Sequence, residues 1–313
     1  MANISKVSGV ASASIKKIDG VSKASIGKLN ELSFASSNTD YISTGLEFHV
    51  NANDTNSWTG SSTTWTDLAG TEDMTLVNGP TKPSGEEYIA FDGTDDRGYV
   101  TWDSSDYFYG STSDYTFWNT MTVQFVASWP EDGSTGYIPI DSHAHIVSRL
   151  QSTTRGFRCF FGRLGASFDI FYGTRMDIRW PNTSDFQYNS SRGYYEPKPN
   201  QVYSFAITMD RTSSSGHFNA YLNGQSFTPS SVNGSLTQLN STSRWNSTFI
   251  NNSNVRKGRD TMHFEIGQKS NGGLSSSSFT CNIHEILLYS TELTQSEVAQ
   301  NLTAYTDRYG ALN

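Results

Sequence analysis

Apolar residues return every 11 positions through the first 36 residues and keep no such period afterwards. Ile4, Ile15 and Ile26 share one register, as do Val7, Ile18 and Leu29, and again Val10, Val21 and Leu32. Lys6, Lys17 and Lys28 keep step beside them. Each repeat carries a small polar pair at its middle: Ser8-Gly9, Asp19-Gly20 and Asn30-Glu31. Asp-Gly between β-branched residues predicts short strands joined by tight turns. An 11-residue period also suits a helical supercoil, but Gly9, Gly20, Gly27 and the many Ser and Val residues oppose helix. Strands this short bury little surface alone, so the segment reads as a docking arm that pairs with another chain. Its candidate contact residues are the nine apolar positions of those three registers.

The polar stretch 33–40 reads as a linker, which divides the chain into an arm with its linker, 1–38, and one domain, 39–313. The domain opens with Gly45-Leu46-Glu47-Phe48-His49-Val50, alternating as a half-buried strand does. Further strands are predicted at Tyr88–Phe91, Gly98–Trp102, Met121–Ser128, His145–Arg149, Gly156–Phe161, Phe168–Tyr172, Gln201–Met209, His217–Leu222, Met262–Ile266 and Cys281–Tyr289. Asn78-Gly79-Pro80, Asp92-Gly93, Asp132-Gly133, Asn223-Gly224 and Asn271-Gly272-Gly273 punctuate them as turns. One helix is predicted near the end, with Thr294 as N-cap, Glu297 completing a capping box, Val298, Leu302 and Tyr305 on one face, and Gly310 as the stop. The expected fold is all-β: a two-sheet jelly-roll or β-sandwich with one short C-terminal helix, preceded by a repetitive β arm.

Composition fits that reading. Aromatic residues make up 13% and hydrophobic residues 35% of the chain, enough for a core. The net charge of −8 is unevenly placed: five lysines against two acids make residues 1–36 +3, which leaves −11 for the rest. An acidic globule is a poor match for phosphate, and the arm lysines alternate with apolar residues, so no nucleic-acid partner is expected. No apolar run approaches the roughly 20 residues that cross a bilayer, and no export signal is visible, so no membrane insertion is expected. Cys159 and Cys281 lack metal-ligand spacing and read as buried thiols, with a bond between them left open.

Three stretches carry a family resemblance. The first is Gly45–Asn53 with Thr64-Trp65-Thr66-Asp67-Leu68-Ala69-Gly70 and Phe91-Asp92-Gly93-Thr94-Asp95-Asp96; the second is Tyr221–Gln225; the third is Ile283–Tyr289 with Leu293–Val298. Together they resemble the concanavalin A-like lectin/glucanase superfamily in the laminin-G-like form of bacteriophage structural proteins. They frame residues 40–313, with a poor match over 130–200. The arm resembles the starts of virion proteins from phages of marine bacteria. The resemblance implies a two-sheet jelly roll and a place on a particle, and no particular activity; joined to the arm, it makes the expected protein a non-enzymatic virion structural protein: a capsid decoration, appendage or tail fibre subunit. It would dock to other virion proteins through residues 1–36, assemble as a homotrimer in the host cytoplasm and leave by lysis. Host-surface glycans are the further partner implied, with a lectin as the alternative main role and a polysaccharide hydrolase behind both.

The candidate chemistry is sparse. Retaining glycosidases hold two carboxylates about 5–5.5 Å apart, and the glucanases of this superfamily set them on one strand as Glu-x-Asp-x-(x)-Glu. No such run exists here; Glu86 and Glu87 are adjacent and Glu285 lies among apolar residues. A sialidase-type Asp box at Gly60–Trp65 fails, because Trp58 holds the position of its aspartate. The expectation is therefore no catalytic residue and no cofactor. Asp92, Asp95 and Asp96 read as an Asx turn before a calcium site. His143 and His145 would share one strand face and are the one pair that suits a transition metal, although a plain solvent face fits as well. Trp58, Trp102, Tyr107, Tyr109 and Trp118 are the candidate rings for stacking on sugars, competing with a core role. Seven arginines between 149 and 192 meet three aspartates, a local excess that suits a subunit contact.

Overall fold

The computed structural model describes residues 39–102, 120–131, 186–190, 194–210, 217–227 and 280–312, together with the backbone of short strands within 3–34, 144–178 and 263–266. In the arm, Asn3–Ile4 (β1), Lys6–Val7 (β2), Val10–Ala11 (β3), Lys17–Ile18 (β4), Val21–Ser22 (β5), Lys28–Leu29 (β6) and Leu32–Phe34 (β7) are extended. The repeat is visible in the pairing. Val7 faces Val10, Ile18 faces Val21 and Leu29 faces Leu32, so each repeat forms the same antiparallel hairpin. β1 then runs parallel to β7, Asn3 opposite Ser33, which joins the first repeat to the third. Of the nine predicted arm residues, Ile4, Val7, Val10, Ile18, Val21, Leu29 and Leu32 lie on these strands, and Ile15 and Ile26 fall outside the described residues.

Beyond the arm stand Leu46–Asn51 (β8), Thr64–Trp65 (β9), Met74–Val77 (β10), Ile89–Asp92 (β11), Arg97–Thr101 (β12), Thr120–Ser128 (β13), Ala144–Ser152 (β14), Arg155–Gly162 (β15), Gly165–Ile170 (β16), Thr174–Ile178 (β17), Phe186–Asn189 (β18), Tyr194–Pro197 (β19), Tyr203–Asp210 (β20), His217–Leu222 (β21), Gln225–Phe227 (β22), His263–Ile266 (β23) and Thr280–Tyr289 (β24), then the helix Gln295–Tyr309 (α1). One sheet has the order β17-β16-β15-β14-β23-β12-β10-β9 and the other β11-β24-β13-β20-β21-β22, with β8 also on β24. Every pairing within the two sheets is antiparallel. The fold is an all-β sandwich with one C-terminal helix.

The core lies between the sheets. Trp65, Met74, Leu76 and Val100 come from the first, and Phe48, Val50, Ile89, Phe91, Val123, Phe125 and Ile286 from the second. A smaller apolar cluster sits on the opposite face of the second sheet, where Leu287, Tyr289, Ala206 and Tyr221 meet Leu293 and Val298 of the α1 segment. β24 is therefore covered on both faces, which explains why its sequence is apolar without alternation. α1 begins as expected: Thr294 caps it and shares a reciprocal capping box with Glu297, and Gly310 closes it at φ +96°. Asn223-Gly224 forms a two-residue hairpin turn with both residues at positive φ. Gly224 lies against the helix, where an added Cβ would come within 3.3 Å of Ala299.

Candidate functional site

The site is set by an irregularity in β24. Val126 of β13 pairs with Glu285, but the next residue, Ala127, pairs with Ile283, so His284 is an extra residue on its strand. Such a bulge re-aims side chains and bends the strand. Here it lets Ile283 and Ile286 both enter the core while His284 and Glu285 serve polar networks.

His284 is the hub of the first network. Its Nδ1 lies 3.1 Å from the Tyr305 hydroxyl and its Nε2 3.3 Å from Ser128 Oγ, which also accepts from Asn282 Nδ2 at 3.3 Å. The rings of Tyr88 and Tyr305 flank it, with centroids at 5.3 and 6.4 Å. Burial pushes the His284 imidazole down to about 3, so it is neutral at pH 7 and acts as one donor and one acceptor. Burial, and then the charges of Glu285 and Glu87, hold the Tyr305 phenol well above its usual range.

Above this hub opens a cleft of about 410 Å³, a size suited to a small ligand. Tyr88, Tyr305, His284, Asn282 and Ser128 form its inner wall, and Glu86 and Glu87 stand on its outer side. The two glutamates are presented by a tight turn in which Glu86 N donates to Pro83 O at 3.1 Å and Gly85 sits at φ +84°. Asn200 borders the cleft from a second turn, at φ +60°, with its N–H donating to Trp129 O at 2.7 Å. Tyr88 is half-buried and Tyr305 is 3% exposed, so the cleft offers one partly open ring beside amide, hydroxyl and imidazole groups, a combination that suits a sugar, since one face of a pyranose is apolar and its rim is hydroxylated.

Glu285 anchors the second network. It is 1% exposed and accepts from His49 Nε2 at 2.9 Å and Asn51 Nδ2 at 2.8 Å. The buried Tyr41 hydroxyl makes no hydrogen bond of acceptable geometry. Burial first, and the neighbouring Glu285 charge second, push that phenol far up. On the helix side Asn301 donates to Gln124 Oε1 and the Tyr289 hydroxyl, both at 2.9 Å, and accepts from Ile42 N. These groups are closed to solvent and tie β8, β24, α1 and residues 41–42 together.

The predicted sugar-stacking rings are differently placed. Trp58 and Trp102 are 3% and 4% exposed and belong to the core, so neither has a face to offer a ligand. Trp58 is further fixed by its Nε1 donating to Ser62 O at 2.8 Å, and Trp102 packs edge-on to Phe48. Tyr107, Tyr109 and Trp118 fall outside the described residues, as does His143; His145 lies on β14, described in backbone only. Asp92, Asp95 and Asp96 approach one another, and they do so as a turn: Asp92 Oδ1 accepts from Thr94 N at 2.7 Å, and Asp96 Oδ2 accepts from Asp92 N at 2.9 Å. Cys281 is a buried free thiol. Among the described residues no helix is long and apolar enough to cross a membrane.

No family model and no curated protein matches the sequence. Solved structures do. The binding domain of Paraclostridial mosquitocidal protein 1 is 14% identical, with 83% of this chain aligned to 52% of that one at a TM-score of 0.54. The binding domain of botulinum neurotoxin DC, in complex with SialylT, is 12% identical over 86% of this chain and 52% of its own, at 0.51. Trypanosoma rangeli sialidase is 16% identical over 84% of this chain and 33% of its own, at 0.48. The chain thus spans about half the length of the matched toxin domains and a third of the sialidase. At these identities the likeness is one of fold, a β-sandwich. One expectation is corrected. The missing carboxylate run pointed to a chain that is not an enzyme, yet sialidases stand among the matched structures beside binding domains. The exclusion of catalysis is withdrawn.

Proposed function

We propose that the sandwich is a glycan-binding domain and that its sugar site is the cleft between Tyr88 and Tyr305. The observation that carries this reading is the convergence, in one opening of ligand size, of the half-buried Tyr88 ring with the polar edges of Tyr305, His284, Asn282 and Ser128. The likeness to binding domains, one of them in complex with SialylT, supports it. The sequence favoured a virion structural protein, with a glycan-binding lectin as the alternative main role; the cleft supports that alternative.

The finer assignment rests on the arm. Three hairpins of one register in a segment of net positive charge suit anchorage to a larger assembly, and their resemblance to phage virion proteins suggests that the assembly is a phage particle. A homotrimer carrying host-attachment domains fits that setting. The test of the binding role is a glycan array probed with the full chain and with Tyr88→Ala. Retention of one related group of glycans by the parent, lost in the variant, is expected; retention of none, or equal retention by both, contradicts the assignment.

A further inference from the structure

The charge of the cleft adds a statement about its ligand. Among the described residues, Glu86 and Glu87 are the charged side chains that line it, and no lysine or arginine does. Glu86 lies close enough to Tyr88 to raise its phenol, behind burial, and Glu87 acts in the same direction on Tyr305. Both negative charges thus bear on the inner wall of the cleft. Lys82 is coupled to Glu87, and its ammonium donates to Ala52 O at 2.6 Å. The histidine at the base carries no charge at neutral pH, as its position below Ser128 and Tyr305 requires. Recognition of a carboxylated sugar draws on arginine, lysine or a set of free N–H donors. This cleft offers the opposite sign.

We infer that the cleft selects sugars that are uncharged or bear an amine and rejects those that carry a carboxylate, sialic acid and uronic acids included. The inference rests on the cleft being the glycan site. Neutral hydroxyls donate to Glu86, an ammonium pairs with it, and a carboxylate is repelled. The domain would share its sandwich with a toxin domain crystallised with SialylT while reading the opposite charge class.

The full chain is applied to an array holding matched neutral, amine-bearing and sialylated or uronate oligosaccharides, alongside Glu86→Lys and Tyr88→Ala. The expected result is retention of neutral or amine-bearing chains, sensitive to Tyr88→Ala. Glu86→Lys should then lower binding of amine-bearing chains and raise binding of sialylated ones, each by about threefold to tenfold at low salt. Sialylated or uronate chains bound by the parent and lost in Tyr88→Ala would overturn the charge selection while leaving the cleft as the site. Glycans bound equally by the parent and Tyr88→Ala would overturn the site, and an array with no binder would remove both.

Discussion

Glu285 shows how a residue that looks idle in the sequence acquires a role. Read in its strand, it is a lone carboxylate among apolar neighbours; in the fold it satisfies His49 and Asn51, brought from β8. Removing it leaves two buried donors without an acceptor. Glu285→Ala should cost about 3 kcal/mol in urea unfolding and Glu285→Gln clearly less; a loss under 0.5 kcal/mol for the alanine variant would contradict this role. His284 makes a second prediction. Its folded pKa lies at about 3 against an ordinary 6.5, so between those values the unfolded chain binds a proton that the folded chain does not. Stability should therefore fall as pH drops from 6.5 towards 3, by up to a few kcal/mol from this group. His284→Gln should flatten that part of the profile, and an unchanged slope would count against a buried neutral imidazole. Asp67 explains one stretch of the family resemblance in physical terms: its carboxylate accepts from the backbone N–H groups of His49, Ala69 and Gly70. Gly70 is needed there because a Cβ would approach Asp67 Oδ2 to 2.8 Å.

Elements were legible where local chemistry decides them. The helix showed its cap, its box and its stop in the sequence, and all three are present. Thr294→Ala removes the oxygen that receives Glu297 N, and should cost about 1 kcal/mol by thermal unfolding. The arm hairpins were legible for the same reason, since a strand-turn-strand unit is contained within each repeat. The ten strands predicted after the first one all exist within a few residues, because each carries a run of apolar or alternating residues long enough to read. β9, β10, β17, β18, β19 and β22 escaped notice: they are two to five residues long and owe their extension to neighbouring strands. The cleft was invisible for a related reason. Tyr88, Asn200, His284 and Tyr305 are far apart in sequence, and the bulge that turns His284 outward is a matter of register between two strands. Trp58 and Trp102 misled because a tryptophan in a loop-rich stretch has the same sequence signature whether its ring faces core or solvent.

At the scale of the molecule, two segments divide the work in our account: an arm that anchors and a sandwich that binds. Deleting residues 1–36 should leave the sandwich folded, with its melting temperature shifted by only a few degrees, and its affinity per site for an array-selected glycan unchanged. Incorporation into particles should be lost, as mass spectrometry of purified virions from a complemented host would register. Normal incorporation would refute the arm's part. The claim on which the rest turns is where the sugar sits. The most direct measurement is photo-crosslinking of the full chain with a diazirine-bearing form of its strongest array ligand, followed by peptide mapping. The account predicts adducts on the segments around Tyr88 and Tyr305, suppressed by excess unlabelled glycan. Competed adducts confined to any other part of the sandwich would contradict it.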